Sequence, residues 1–116
     1  MRKDTKARNF PRKVKEEIAE RDSVEGWPCC VVCGAAAPQT DGRISIAWSN
    51  AHFISRAQGG LGVVENGVTL CPKCHRVYDQ TTERERIRDY LRSYLESKHL
   101  GWDEASLYYE KGMDDV

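Results

Sequence analysis

Residues 71–79 read Cys71-Pro72-Lys73-Cys74-His75-Arg76-Val77-Tyr78-Asp79, and their opening CxxC pair echoes an earlier one at Cys30-Val31-Val32-Cys33-Gly34. A two-residue spacer lets both sulfurs of a pair reach one tetrahedral ion at about 2.3 Å. Gly34 lets the backbone turn where a side chain would crowd it. Two such pairs in one small chain point to a structural zinc held by Cys30, Cys33, Cys71 and Cys74. Binding of this kind supplies apparent free energy on the order of 10–16 kcal/mol. That is ample for a middle stretch, residues 30–79, that holds few large apolar side chains. The same cysteines would read as disulfides in an oxidising compartment, and a reducing one argues against that. Cys29 lacks the two-residue spacing to Cys33 and reads as a buried or idle thiol.

Outward from these pairs, the chain has the length and composition of one soluble domain. It has 116 residues, of which 31% are charged and 40% hydrophobic. No stretch approaches the roughly 20 apolar residues that span a bilayer. The opening MRKDTKARNF is basic but lacks the apolar centre of a signal peptide, so a cytoplasmic protein with no membrane partner is expected. Net charge is zero, yet its distribution is uneven. Arg2, Lys3, Lys6, Arg8, Arg12, Lys13 and Lys15 are opposed only by Asp4, while acids gather at Glu16, Glu17, Glu20, Asp114 and Asp115. Residues 1–10 read either as a basic arm that neutralises phosphates or as a solvated terminus, and residues 110–116 as an acidic tail.

The domain proper is expected over 11–109. A first helix over Pro11–Asp22 follows from Val14, Ile18 and Ala19 with Pro near the first turn. Gly26 and Pro28 break the chain, and Pro38–Arg43 is turn-rich. Alternation at Ile44, Ile46 and Trp48 predicts one strand, and Val68–Leu70 a second. Pro72 suits the first position of a helix that carries Cys74, His75 and Asp79. Thr82 and Glu85 form a capping-box pattern. Behind it Ile87, Tyr90, Leu91, Tyr94 and Leu95 share a face of a helix over about 83–98. Leu100-Gly101 ends that helix, and Trp102–Tyr109 suggests a short last one. Trp27, Trp48 and Trp102 are expected in the core.

Four cysteines fill a zinc ion's coordination sphere, so the chemistry must lie elsewhere. The candidates are Ala51-His52-Phe53-Ile54-Ser55-Arg56, Glu65-Asn66-Gly67 and Cys74 to Asp79. In this register the chain resembles the HNH endonucleases of the zinc-binding type found in phage and bacterial proteins. The resemblance covers about Pro11–Gln80 and rests on both CxxC pairs, the lead-in helix and the run AHFISRAQGG…ENGVTLCPKCHRVYD. It implies an α+β fold, a small zinc-stabilised treble clef with a ββα-metal motif at about 44–80, flanked by N- and C-terminal helices.

It further implies a DNA phosphodiester hydrolase in which His52 ends the first strand and acts as general base. Asn66 ties the loop together and orients that base. His75 and Asp79, four residues apart on one helical face, would hold a catalytic divalent metal. The oxygen ligand favours magnesium or manganese, with nickel or zinc as alternatives. Arg56, Arg76 and Lys13 are candidate DNA contacts. The implied partner is DNA, together with a phage packaging, restriction or recombination protein.

The sequence departs from the family at Ala51, where members usually carry Asp, Glu or His before the base. This leaves a second reading open, a zinc module that binds DNA or protein around a decayed nuclease site. His52 also reads as a hydrogen-bonded core residue, and Asp79 as an ordinary helix-end acid. His99 matches no motif.

Overall fold

The computed structural model describes residues 7–38, 46–80 and 82–109. Among them run helix α1 (Arg12–Arg21), strands β1 (Ser23–Val24), β2 (Trp27–Pro28), β3 (Ala51–His52) and β4 (Gly67–Val68), then helices α2 (Pro72–Gln80) and α3 (Arg84–Lys98). Short 3₁₀ turns occupy Arg56–Gln58, Val64–Asn66 and Glu104–Leu107. Three helices and two antiparallel two-stranded sheets, β1–β2 and β3–β4, make a small α+β fold. The four cysteines gather between them.

Helix α1 starts one residue later than its sequence suggests, with Pro11 as N-cap in extended conformation. Its fixed φ prepares the first turn, and its missing N–H is one that a helix start leaves unbonded anyway. Ile18 and Ala19 are buried and turn this face toward β4 and the Val64–Asn66 turn. The helix ends in a buried ionic knot. The Asp22 carboxylate accepts from Arg21 at 2.8 and 3.0 Å, from the Thr69 amide at 2.8 Å and from the Tyr94 hydroxyl. Arg21 also donates to the carbonyls of Val64 and Gly67. A buried charge pair survives when its remaining donors and acceptors are met, and here they tie α1 to β4 and α3.

The first described strand of this hairpin lies at Ala51–His52, where Ala51 pairs with Val68 and His52 with Gly67; of the expected strand over Ile44–Trp48, the described residues 46–48 form none. Residues 41–45 lie outside the described residues, and residues 46–49 form a turn. There the Ser49 amide and hydroxyl both bond the Ile46 carbonyl, and the hydroxyl also reaches the Lys15 carbonyl. That turn consumes the backbone groups a strand would need. The second strand is likewise shorter and earlier than Val68–Leu70. Residues 1–6, 39–43 and 110–116, which hold most of the expected arm, the turn-rich stretch and the acidic tail, lie outside the described residues.

Phe53, Ile54, Val68, Leu70, Tyr78, Leu91, Leu95 and Leu107 form the core, with Trp48 and Trp102 against it. Trp27 is not part of it. It is 44% exposed, and its indole N–H donates to the Ala37 carbonyl. On α3, Leu91 and Leu95 are buried and Ile87 and Tyr94 half-buried. Tyr90 instead faces outward at 53% and donates to the Val31 carbonyl. The capping box at Thr82 and Glu85 does not form: Glu83 is the N-cap, helical in backbone and without a side-chain cap. The expected last helix shrinks to the Glu104–Leu107 turn, which Arg88 and Arg92 fasten to α3 through Glu104 at 3.2 and 2.7 Å. His99 caps α3 and meets Arg21 at 3.2 Å.

Candidate metal centre and active-site cleft

The sulfurs of Cys30, Cys33, Cys71 and Cys74 all lie within 4.8 Å of one another, and none is in a disulfide. The Cys33 and Cys71 sulfurs are 3.7 Å apart. Sulfurs about 2.3 Å from one tetrahedral ion stand roughly 3.8 Å from each other, so the spacing fits zinc. Each pair is shaped locally. In the first, Cys30 donates to Ala35 and Gly34 donates back to Cys30, with Gly34 at φ +80°. In the second, Cys71 precedes α2, its carbonyl accepts from His75, and its sulfur accepts from the Cys74 amide at 3.4 Å. The Val31 amide bonds the Thr69 carbonyl and joins the two halves. Burial and the neighbouring sulfurs push the Cys74 thiol far up. Four thiolates this close coexist only around a cation. Cys29 stands aside, its thiol directed to the Trp27 carbonyl.

Beside this centre the β3–β4 hairpin leads into a loop over residues 53–62 that Asn66 holds together. Asn66 has no exposure; its oxygen accepts from the Ile54 amide at 2.8 Å, and its amide nitrogen donates to the carbonyls of Ile54 and Leu61. Gly60 is required in that loop, since a Cβ there would stand 1.8 Å from the Ile54 carbonyl oxygen. Tyr78 of α2 donates to the Phe53 carbonyl at 2.7 Å and seats α2 against the hairpin.

Strand alternation then decides which side chain meets solvent. Ala51 is fully buried in the core. His52 turns the other way, into a cleft of about 530 Å³ lined by Asn9, Phe10, Lys15, Asn50, Ser55, Arg56, His75 and Asp79 as well. Across it, His75 Nε2 and Asp79 Oδ2 are 3.1 Å apart on successive turns of α2. Arg84 is 4.0 Å from the same carboxylate. Burial holds the His52 imidazole below its ordinary range, the Arg8 carbonyl opposes this, and the Arg56 charge adds to it. Burial thus favours the neutral form of the imidazole.

The structure thus brings His52, Arg56, His75 and Asp79 to one cleft, with Asn66 buried behind it. Arg76 and Lys13 are exposed and do not line it. In place of Lys13 the lead-in helix contributes Lys15, which lies three and four residues ahead of buried Ile18 and Ala19. That spacing was the available signal that Lys15 faces inward. Phe10 and Asn9 had no comparable signal. Among the described residues, the four cysteines are the only group of three or more potential ligands that converge closely.

Comparison with known proteins agrees with this layout. Residues 30–80 match the family model described as HNH endonuclease. The chain is similar to the protein named Anaredoxin from Nostoc sp. (strain PCC 7120 / SAG 25.82 / UTEX 2576), 28% identical over 67 residues, which are 58% of this chain and 72% of that protein. No solved structure matches the chain. No helix among the described residues is long and apolar enough to cross a membrane. The matched segment, a little under half of the chain, opens on Cys30 and closes one residue past Asp79, and over it the chain is similar to the HNH endonucleases.

Proposed function

We propose that the chain is a metal-dependent endonuclease that hydrolyses DNA phosphodiester bonds. The observation that carries this reading is the shared cleft, which sets a neutral imidazole opposite a His–Asp pair with Arg56 and Lys15 at its edge. His52 takes a proton from water, the water oxygen attacks phosphorus, and the bond from phosphorus to the 3′ oxygen breaks. The departing 3′ oxygen takes a proton from solvent water, so the products are a 5′ phosphate and a 3′ hydroxyl. His75 and Asp79 fit a divalent cation, since one nitrogen and one carboxylate oxygen converge within 3.1 Å. Such an ion, magnesium or manganese in preference to nickel or zinc, supplies polarisation of the phosphate and stabilises charge on the leaving oxygen. Arg56 and Lys15 neutralise phosphate charge at the cleft. The tetrathiolate zinc takes no part in chemistry. It fixes α2 against the hairpin.

The test is supercoiled plasmid incubated with magnesium, manganese, nickel or EDTA. Wild type nicks it in a metal-dependent manner, and His52→Ala does not while it retains zinc.

One observation favours the second reading, a zinc module that binds DNA without cutting it. No third close ligand joins His75 and Asp79 among the described residues, and the Ala51 position points into the core. A wild-type protein inert with every metal that still retards DNA on a gel would establish that reading.

A further inference from the structure

The segment Ala7–Phe10 lies outside the matched family unit, yet it reaches the cleft and touches the residue on which the chemistry depends. His52 Nε2 is 2.6 Å from the Arg8 carbonyl oxygen, and the Phe10 ring stacks on the imidazole with centroids 4.0 Å apart and planes 21° from parallel. We propose that Ala7–Phe10 is a positioning strap for His52, in which the Arg8 carbonyl selects the ring tautomer and Phe10 fixes the ring plane. This rests on the nuclease reading for its purpose but not for its geometry.

A carbonyl oxygen only accepts, so the hydrogen in this bond belongs to Nε2. A neutral imidazole carries one N–H, which leaves the lone pair on Nδ1. The proton removed from water therefore goes to Nδ1. The resulting imidazolium still donates from Nε2 to the Arg8 carbonyl, which stabilises the charge as it forms. Without the strap the ring distributes between two tautomers and two orientations, only some of them competent.

The strap has a built seat. Gly62 donates its amide to the Ala7 carbonyl at 2.9 Å, and a Cβ on Gly62 would fall 2.0 Å from the Asn9 carbonyl oxygen and 2.4 Å from its carbon. A Cβ on Gly67 would meet the Phe10 ring at 2.9 Å. Arg8 donates to the Arg56 carbonyl at 2.8 Å, and its guanidinium lies 5.8 Å from the centre of the Tyr109 ring. Three separate parts of the fold thus close on four residues, and only 9% of Phe10 stays exposed. The charged and titratable groups that share the cleft with His52 are Lys15 from α1, Arg56 from the loop, and His75 and Asp79 from α2. None of them supplies the acceptor that the Arg8 carbonyl provides.

The experiment is a long-range proton–nitrogen NMR correlation on the zinc-loaded full chain labelled with ¹⁵N, which reads the protonated nitrogen of His52 directly. Wild type shows the Nε2–H tautomer. Gly62→Ala displaces the strap without touching the ring, and Phe10→Ala removes the stack. Both mix the tautomers, and both lower kcat for plasmid nicking by up to ~100-fold with KM nearly unchanged.

An Nδ1–H tautomer in wild type overturns the proposal, and so do unchanged His52 signals in two variants that keep their zinc. Should either variant lose its fold, the wild-type tautomer decides alone. A protein inert with every metal but in the Nε2–H form leaves the strap standing and removes the nuclease reading. An active protein in the Nδ1–H form does the reverse.

Discussion

Replacing Asn66 with Ala tests whether the loop that carries Ser55 and Arg56 is held from behind, as its hydrogen bonds imply. Asn66 has no exposure, and its side chain makes three bonds, from the Ile54 amide and to the Ile54 and Leu61 carbonyls. Truncation strands one buried donor and weakens two acceptors. A stranded buried group costs about 1–3 kcal/mol and a lost ordinary bond about 1. The sum, with part of the loop relaxing toward water, is about 3–5 kcal/mol. A domain of this size has about 5–15 kcal/mol in total, so the variant folds but sits near its limit.

Asn66→Asp sharpens the test because it keeps the shape and the acceptor for Ile54. Its second oxygen, however, faces two carbonyl oxygens in a buried site. The carboxyl is then driven to bind a proton, and its folded pKa rises above the unfolded value near 3.9. The protonated form is favoured in the folded state, so the stability of this variant is greatest below the unfolded pKa and is lost as pH rises through the folded one. Urea denaturation with zinc held constant, run from pH 4.5 to 8, measures both variants. A cost below about 1 kcal/mol for Asn66→Ala, or an Asn66→Asp variant whose loss does not grow with pH relative to wild type, refutes the reasoning.

Further outcomes follow from the centre and the cleft. Stripping zinc with a strong chelator, or Cys74→Ser, unfolds the hairpin and α2, because about 10–16 kcal/mol of apparent binding free energy exceeds what the small core retains; circular dichroism and metal content read this, and a native spectrum without metal contradicts it. Burial places the His52 imidazole below about 6.5. The base is thus active above that midpoint, and nicking declines only as pH falls through it; a rate profile whose acid limb lies above 6.5 contradicts the assignment. Lys15→Ala lowers DNA affinity and reduces the salt slope by about one counterion. Lys13→Ala, on a residue that does not line the cleft, has a smaller effect on rate, and equal effects of the two would remove Lys15 from the site.

The four-cysteine cluster was legible in the sequence because its geometry is local: each CxxC pair fixes its own knuckle, and Pro72 announces the helix that follows. The His75–Asp79 pair was legible for the same reason, as neighbours on one helical face. The first strand was placed too early because Ile46 and Trp48 are half-buried without strand pairing. Ser49 spends the local backbone on a turn, and pairing resumes at Ala51. Tyr90 and Trp27 carry large rings that a periodicity argument sends inward, but each stays exposed while its polar atom donates to a backbone carbonyl. The N-terminal contribution to the cleft was invisible. Phe10 sits among basic residues without a period, and its partner His52 lies far along the chain. The boundary drawn at residue 10 therefore cuts through the site, since Asn9 and Phe10 line it.

Cys74 and His75 are consecutive residues, and the His75 amide is bonded to the Cys71 carbonyl. The structural knot and the proposed working edge of the protein are thus welded through a single peptide unit. A change in sulfur coordination, such as cadmium exchange, thiol oxidation or a ligand swap, would therefore act directly on the backbone that carries the imidazole. On the nuclease reading, occupancy of the cysteine cluster would gauge whether a given molecule in a preparation is competent, and activity would be normalised to bound metal and not to protein mass.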